Sequence, residues 1–144
     1  MEHRRLVDAG LVTELVRVAA DVFGPNESVL AVYLYGSAAR GEPAADLDVA
    51  VLLEGERVPP AQLEAMASDL QRLGAPHGPE IDLRVLNGAG PRFCVTVLRE
   101  GRLLYERHRD RRLSCEARFM SQWADFRPTW ERMRQRMIAR WAGG

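Results

Sequence analysis

The spacing of hydrophobic positions changes several times along the chain, and each change marks an element. Between residues 8 and 23, Leu11, Leu15, Val18 and Val22 recur at helical spacing. Asp8 is placed to cap that helix, and Gly24-Pro25-Asn26 stops it. Val29 to Tyr35 is apolar throughout, the pattern of a central strand. Gly36-Ser37 then turns the chain into a short predicted helix that ends near Gly41-Glu42-Pro43, and Asp46 to Leu53 reads as a second strand. After a loop from Gly55 to Pro60, the Pro59-Pro60 pair opens a helix reaching about Leu73, with Leu63, Met66, Ala67 and Leu70 inward. Residues 74–79, rich in Gly and Pro, break the chain before a third strand, Glu80 to Leu86. A short helix over 91–99 ends at Gly101, and Arg102 to Glu106 reads as a fourth strand. From Arg109 the pattern is helical. Pro128 disfavours helical backbone at Arg127, so two helices are expected, 109–125 and 128–141. Trp123, Phe126, Trp130 and Trp141 are their large anchors, for the core or for an interface with another chain.

That order of elements predicts an α+β or α/β arrangement in two layers. The 144 residues suit a single domain, read as a core over 1–108 with a helical extension over 109–144 packed on it. Apolar residues make up 47%, which excludes compositional disorder. Net charge is zero, and all 20 basic residues are Arg. The balance gives no general reason to expect direct nucleic-acid binding, and the absence of Lys excludes any P-loop or Schiff-base mechanism. The charge is nevertheless divided. Residues 1–99 carry 9 Arg and 14 Asp or Glu, whereas residues 100–144 carry 11 Arg and 6 Asp or Glu. The basic tail suits a solvated helix surface, an acidic partner, an RNA, or the acidic body of its own domain. Cys94 and Cys115 belong to no CxxC pair and are expected as reduced core thiols. With no signal region and no apolar run long enough to span a bilayer, a soluble cytoplasmic protein away from membranes is expected.

The chemistry lies where the first two strands meet. Side chains alternate across a strand, so Leu47, Val49 and Val51 share one face of the second strand while Asp46 and Asp48 share the other. In the third strand Ile81, Leu83 and Val85 share a face, and Asp82 points the opposite way. With both apolar faces on one core, the three carboxylates emerge together, on strands about 5 Å apart. Crowded carboxylates repel unless a cation intervenes. Mg²⁺ suits such a site, holding carboxylates and substrate phosphates, and two ions would clamp an in-line displacement. Asp82 is also placed to take the proton of an attacking hydroxyl. The Gly36-Ser37 turn supplies the phosphate cradle: Gly36 permits close approach to the backbone, and the Ser37 hydroxyl can donate to phosphate. Arg40 is placed to reach the phosphates or to cap local structure. A lone Gly-Ser or Asp-x-Asp says little. The ordered set, completed by a further Asp 34 residues after Asp48, points to transfer of a nucleotide from a nucleoside triphosphate.

The stretch LYGSAARGEPAADLDVAVLL, residues 34–53, resembles the signature of the minimal nucleotidyltransferases of the DNA polymerase β superfamily. Residues 81–112 and 116–137 resemble the C-terminal half of the MntA-type antitoxins. The resemblance implies a small polymerase-β-like α+β fold, with a mixed sheet of about four strands, packed helices and C-terminal helices. It implies an antitoxin whose partner is a helical HEPN ribonuclease toxin, silenced when AMP passes from ATP to a tyrosine hydroxyl with Mg²⁺. Carried onto this chain, Gly36 and Ser37 hold the triphosphate, Asp46 and Asp48 bind metal, and Asp82 is the third catalytic carboxylate. One departure stands out: eight residues separate Ser37 from Asp46, about two fewer than in many relatives.

Three other functions compete. The chain would be an antitoxin acting by binding alone, with the aromatics and Arg of 109–141 as its working surface. It would be an aminoglycoside-type nucleotidyltransferase, although some 45 residues after Glu100 leave little room for a substrate domain. It would itself be a HEPN-type RNase, on the Arg72/His77 or Arg102/His108 pairs, although the latter pair spans a predicted strand.

Overall fold

A computed structural model describes residues 5–6, 9–55 and 57–143. In chain order the elements are β1 (Arg5–Leu6), α1 (Ala9–Phe23), β2 (Val29–Tyr35), β3 (Pro43–Ala44), β4 (Asp46–Leu53), α2 (Pro60–Gly74), β5 (Glu80–Val85), α3 (Pro91–Glu100), β6 (Arg102–Glu106) and α4 (Arg109–Ala142). The four long strands form one mixed sheet in the order β5-β4-β2-β6. Strand β2 pairs antiparallel with β4 and β6, while β4 and β5 run parallel. Both central strands, β2 and β4, are the apolar runs, as expected for strands covered on both faces. The predicted Asp8 cap lies outside the described residues.

Helices cover both faces of the sheet, so the molecule has three layers and not the two expected. On one face, Leu15, Val18 and Val22 of α1 and Met66 and Leu70 of α2 pack with Val32, Leu34, Leu47, Val49 and Val51. On the other, Cys94 and Val97 of α3 and Cys115 of α4 pack with Leu30, Tyr33, Ala50 and Leu52. The alternation of β2 slips where its pairing with β4 is irregular, between Val29 and Ala31. Leu30 and Ala31 therefore both face α3 and α4, and regular alternation resumes after them. The second helical layer escapes a count of helices because only alternation at β2 and β4, apolar on both sides, reports it. Both cysteines are buried and free, as expected.

Two polar clamps tie the layers together. Arg107, just after β6, donates to the carbonyls of Val29 (2.9 Å), Gly24 (2.9 Å) and Asn26 (2.8 Å), locking the turn between α1 and β2. On the other face the Tyr33 hydroxyl donates to Glu116 at 2.7 Å, and Arg112 bridges Glu116 (2.7 Å) and Glu106 (2.6 Å). Burial, and then the hydrogen bond to Glu116, push the Tyr33 hydroxyl far above its ordinary pKa. The first turn of α4 is anchored on β2 in this way.

Two predicted elements differ. No helix follows Gly36-Ser37. The Ala39 and Arg40 amides reach back to the Gly36 carbonyl and Gly41 reaches Ala38, giving consecutive turns too short to become a helix. Beyond the sheet, Pro43–Ala44 pairs antiparallel with Arg5–Leu6, so the shortened loop is a small two-stranded ribbon. The expected break at Pro128 is also absent: α4 is one helix of 34 residues with the proline inside it. Proline deprives the Ala124 carbonyl of its donor. Ala124 and Pro128 are both exposed, so water replaces that partner.

Candidate active site

The strand register brings the carboxylates together. Asp48 of β4 stands opposite Asp82 of β5, and Asp46 stands opposite Glu80. On the other side Asp48 stands opposite Tyr35 of β2. Residues opposite one another in a sheet project from the same face, so Asp46, Asp48, Asp82 and Tyr35 share the face that α3 and α4 cover further along. Here, at the first residues of β4 and β5, that cover ends: Asp46 and Asp82 are exposed and Asp48 is half-buried.

Gly36 makes room for Asp48. Its backbone has φ +74°, and a Cβ built on it would lie 2.6 Å from Asp48 Oδ2. Only a residue without a side chain lets the chain leave β2 in this left-handed turn while the carboxylate rests against it. Ser37, Ala45, Asp46 and Asp48 line a cleft of about 190 Å³ with Pro43 and Ala44, which places the β3 ribbon at the mouth of the site. Glu42 donates its amide to the Ser37 carbonyl at 3.0 Å and closes the turn from behind.

The electrostatics are those of crowded anions. Burial raises the Asp48 carboxyl above the ordinary carboxylate range, and the charges of Asp82 and then Asp46 raise it further, while Arg84 pulls it back. Burial also raises the Tyr35 hydroxyl, with Asp48 adding to the effect and Arg84 opposing it. Among the described residues, no three His, Cys, Asp or Glu side chains stand close enough to form a ready-made metal cluster. Still, the donor set is all oxygen, open to solvent and mutually repulsive, which fits a hard divalent cation that also takes ligands from water or phosphate. Asp46, Asp48 and Asp82 are the residues that would hold it.

Arg40 is engaged elsewhere, pairing with Glu42 at 3.1 Å and Glu100 at 3.4 Å. Two members of the face were missed from the sequence. Arg84 lies two residues beyond Asp82, on the same face by the same alternation that selected Asp82, and pairs with it at 3.7 Å. Tyr35 packs edge-on against Phe93, with ring centroids 5.4 Å apart. Its alignment with Asp48 depends on an antiparallel register that no local signal reveals. Away from this site, Arg102 opens β6 and His108 caps α4 by accepting from the Arg111 amide at 3.2 Å.

A family model described as polymerase beta, nucleotidyltransferase, matches residues 19–110. No curated protein matches. Several solved structures share the fold at low identity. A chain of a toxin–antitoxin crystal structure with AMP-PNP has a TM-score of 0.69 and 20% identity, over 86% of this chain and 98% of that one. A chain from tri-AMPylated Shewanella oneidensis HEPN toxin in complex with MNT antitoxin has a TM-score of 0.67 and 19% identity, over 89% and 99%. A chain of the toxin–antitoxin MntA–HepT crystal structure has a TM-score of 0.66 and 19% identity, over 88% and 99%. Matched over more than half its length, and with the glycine turn set against two facing carboxylates, the chain belongs to the polymerase β nucleotidyltransferase family.

Proposed function

We propose that this protein is the antitoxin of a cytoplasmic toxin–antitoxin pair, and that it moves AMP from ATP to a tyrosine hydroxyl of a HEPN ribonuclease toxin. The observation that carries the chemistry is the facing pair Asp48 and Asp82, with Asp46 two residues away and the Gly36 turn packed against Asp48. The partner class is supported by the solved structures of similar fold, which include toxin–antitoxin complexes, one with an AMPylated toxin and one with AMP-PNP.

In this reading the Gly36-Ser37 turn receives the triphosphate, and the cleft lined by Ser37, Asp46 and Asp48 holds the reacting phosphate. The acceptor oxygen attacks the α-phosphorus. The bond to the β-phosphate breaks, and diphosphate leaves with its electron pair. Asp82 takes the proton of the acceptor hydroxyl. Two Mg²⁺ ions, when bound, would neutralise the three carboxylates and the phosphate charge together. Arg84 pairs with Asp82 at 3.7 Å and so helps to position that carboxylate. The division into a catalytic core (1–108) and a helical extension (109–144) assigns transfer to the first and partner contact to the second.

The test is incubation with ATP, Mg²⁺ and the cognate toxin, followed by intact-mass measurement. A gain of one or more AMP on the toxin, lost in Asp46→Ala/Asp48→Ala, is expected. Inhibition of the toxin with no mass gain would reject transfer in favour of an antitoxin acting by binding.

A further inference from the structure

The distal part of α4 carries an exposed apolar stripe. The helix is about 50 Å long at 1.5 Å per residue, and Arg92 of α3, stacked over Trp130 at 4.5 Å, ties it to the body. Every residue from Arg132 to Gly143 is exposed. Yet this segment is not a polar helix end. At 100° per residue Trp130, Met133, Met137 and Trp141 fall within one narrow stripe. Met137 is 60% exposed and Trp141 is 84% exposed. Pro128 falls on the opposite side, so it does not interrupt the stripe. Residues 132–143 carry four Arg and no Asp or Glu. Arg136 and Arg140 border the stripe on one side and Arg134 on the other.

We propose that residues 130–141 of α4 are a docking face for an amphipathic helix of a second protein, whose apolar stripe is bordered by Asp and Glu. The inference rests on the proposed function in one respect, that this second protein is the acceptor of the transfer. A single straight stripe is the width of one helix, and Met beside Trp forms an adaptable apolar surface. Helix-in-groove contacts of this kind are anchored by a few such residues. The partner must be acidic because residues 130–141 set four Arg against a single carboxylate, Glu131, which pairs with Arg134 at 3.8 Å. A second copy of this helix would set four Arg against four Arg, which disfavours self-pairing. A twelve-residue helix end exposed along its whole length is also marginal alone, so a partner would stabilise the segment itself.

Binding of the full chain to the cognate HEPN toxin of the proposed function is measured by calorimetry at low and high salt. Met137→Glu/Trp141→Glu is expected to weaken binding at least about 30-fold, the effect of losing interface anchors. Arg136→Glu/Arg140→Glu is expected to weaken it and to flatten its salt dependence. Asp46→Ala/Asp48→Ala is expected to bind like wild type. Unfolding temperatures check that the exposed substitutions leave the fold intact. Undiminished binding by Met137→Glu/Trp141→Glu overturns the inference even where AMP is transferred. Stripe-dependent binding without transfer leaves the inference standing and rejects the proposed reaction. No binding by wild type, self-association abolished by the substitutions, or equally tight binding to phosphatidylserine vesicles also overturns it.

Discussion

Replacing Gly36 with Ala separates the two roles of that glycine, and Gly41 is its natural control. Both have positive φ, +74° and +72°. Around Gly41 a Cβ meets nothing within 4 Å, so Gly41→Ala carries only the left-handed strain of about 1–2 kcal/mol. The loss of freedom in the unfolded chain returns about 0.4–1 kcal/mol of this, leaving a net cost near 1 kcal/mol. At Gly36 the same cost applies, and the new Cβ would lie 2.6 Å from Asp48 Oδ2 and 3.5 Å from Asp48 Cγ. The carboxylate is the free end of a side chain, so it rotates away rather than forcing the strands apart. An off-rotamer Asp48 adds about 0.5–1.5 kcal/mol, giving a total near 2 kcal/mol. At about 3–4 °C per kcal/mol for a domain of this size, the melting temperature falls about 3–4 °C in Gly41→Ala and about 6–8 °C in Gly36→Ala. The rates diverge more sharply. A displacement of about 1 Å in a catalytic group costs on the order of 100-fold. Gly36→Ala is therefore expected to transfer nucleotide about 100-fold more slowly, and Gly41→Ala at the wild-type rate. Differential scanning fluorimetry and single-turnover transfer measure both effects. In an Asp48→Ala background the excess cost at Gly36 should vanish, leaving the strain shared with Gly41. Equal rates for the two alanine variants, or an undiminished excess without Asp48, would refute the packing of Gly36 against the carboxylate as the basis of the site.

Other measurements probe the same picture. Because the Asp48 carboxyl is raised in the folded state, its contribution to stability is fully present below the ordinary carboxylate value of 3.8 and is lost as pH rises through the raised value. Asp48→Asn in chelator-treated protein should therefore melt higher than wild type at neutral pH and match it in strong acid, while transferring no nucleotide; a lower melting point at neutral pH contradicts the crowding. Adding Mg²⁺ should raise the melting temperature of wild type more than that of Asp48→Asn, and equal shifts would place the ion elsewhere. Arg107→Met should cost about 2–4 kcal/mol, since three close carbonyls lose a charged donor, as urea denaturation would show. Tyr33→Phe removes the 2.7 Å bond to the half-buried Glu116 and should cost about 1–3 kcal/mol, with faster amide exchange in the first turns of α4 as its mark.

Much of this protein is determined by local rules that operate along the chain. The long strands β2, β4 and β6 appear at the residues where alternation and apolar runs place them, and α1, α2 and α3 differ from expectation by a residue or so at their ends. The carboxylates were legible for the same reason, since a period of two assigns every side chain of a strand to a face without knowledge of its neighbours. That rule also reaches Arg84, whose place on the face follows from the same alternation, although a basic residue carries no metal-ligand signal of its own. What lay beyond it depends on contacts between distant segments. The turns after Gly36 are not a helix because too few residues lie before Pro43 joins a ribbon with Arg5–Leu6, a pairing with no trace in either stretch. Tyr35 meets Asp48 only through the antiparallel register, and the third layer exists only because α3 and α4 close over the face that β4 turns away from α1 and α2. At Pro128 a local preference was overridden, since the helix continues where its exposed turn leaves the orphaned carbonyl to water. Sequence alone determines which faces exist and which chemistry each bears. The tertiary structure decides which faces meet, because register and layer order are set by burial summed over the whole sheet and not by any one segment.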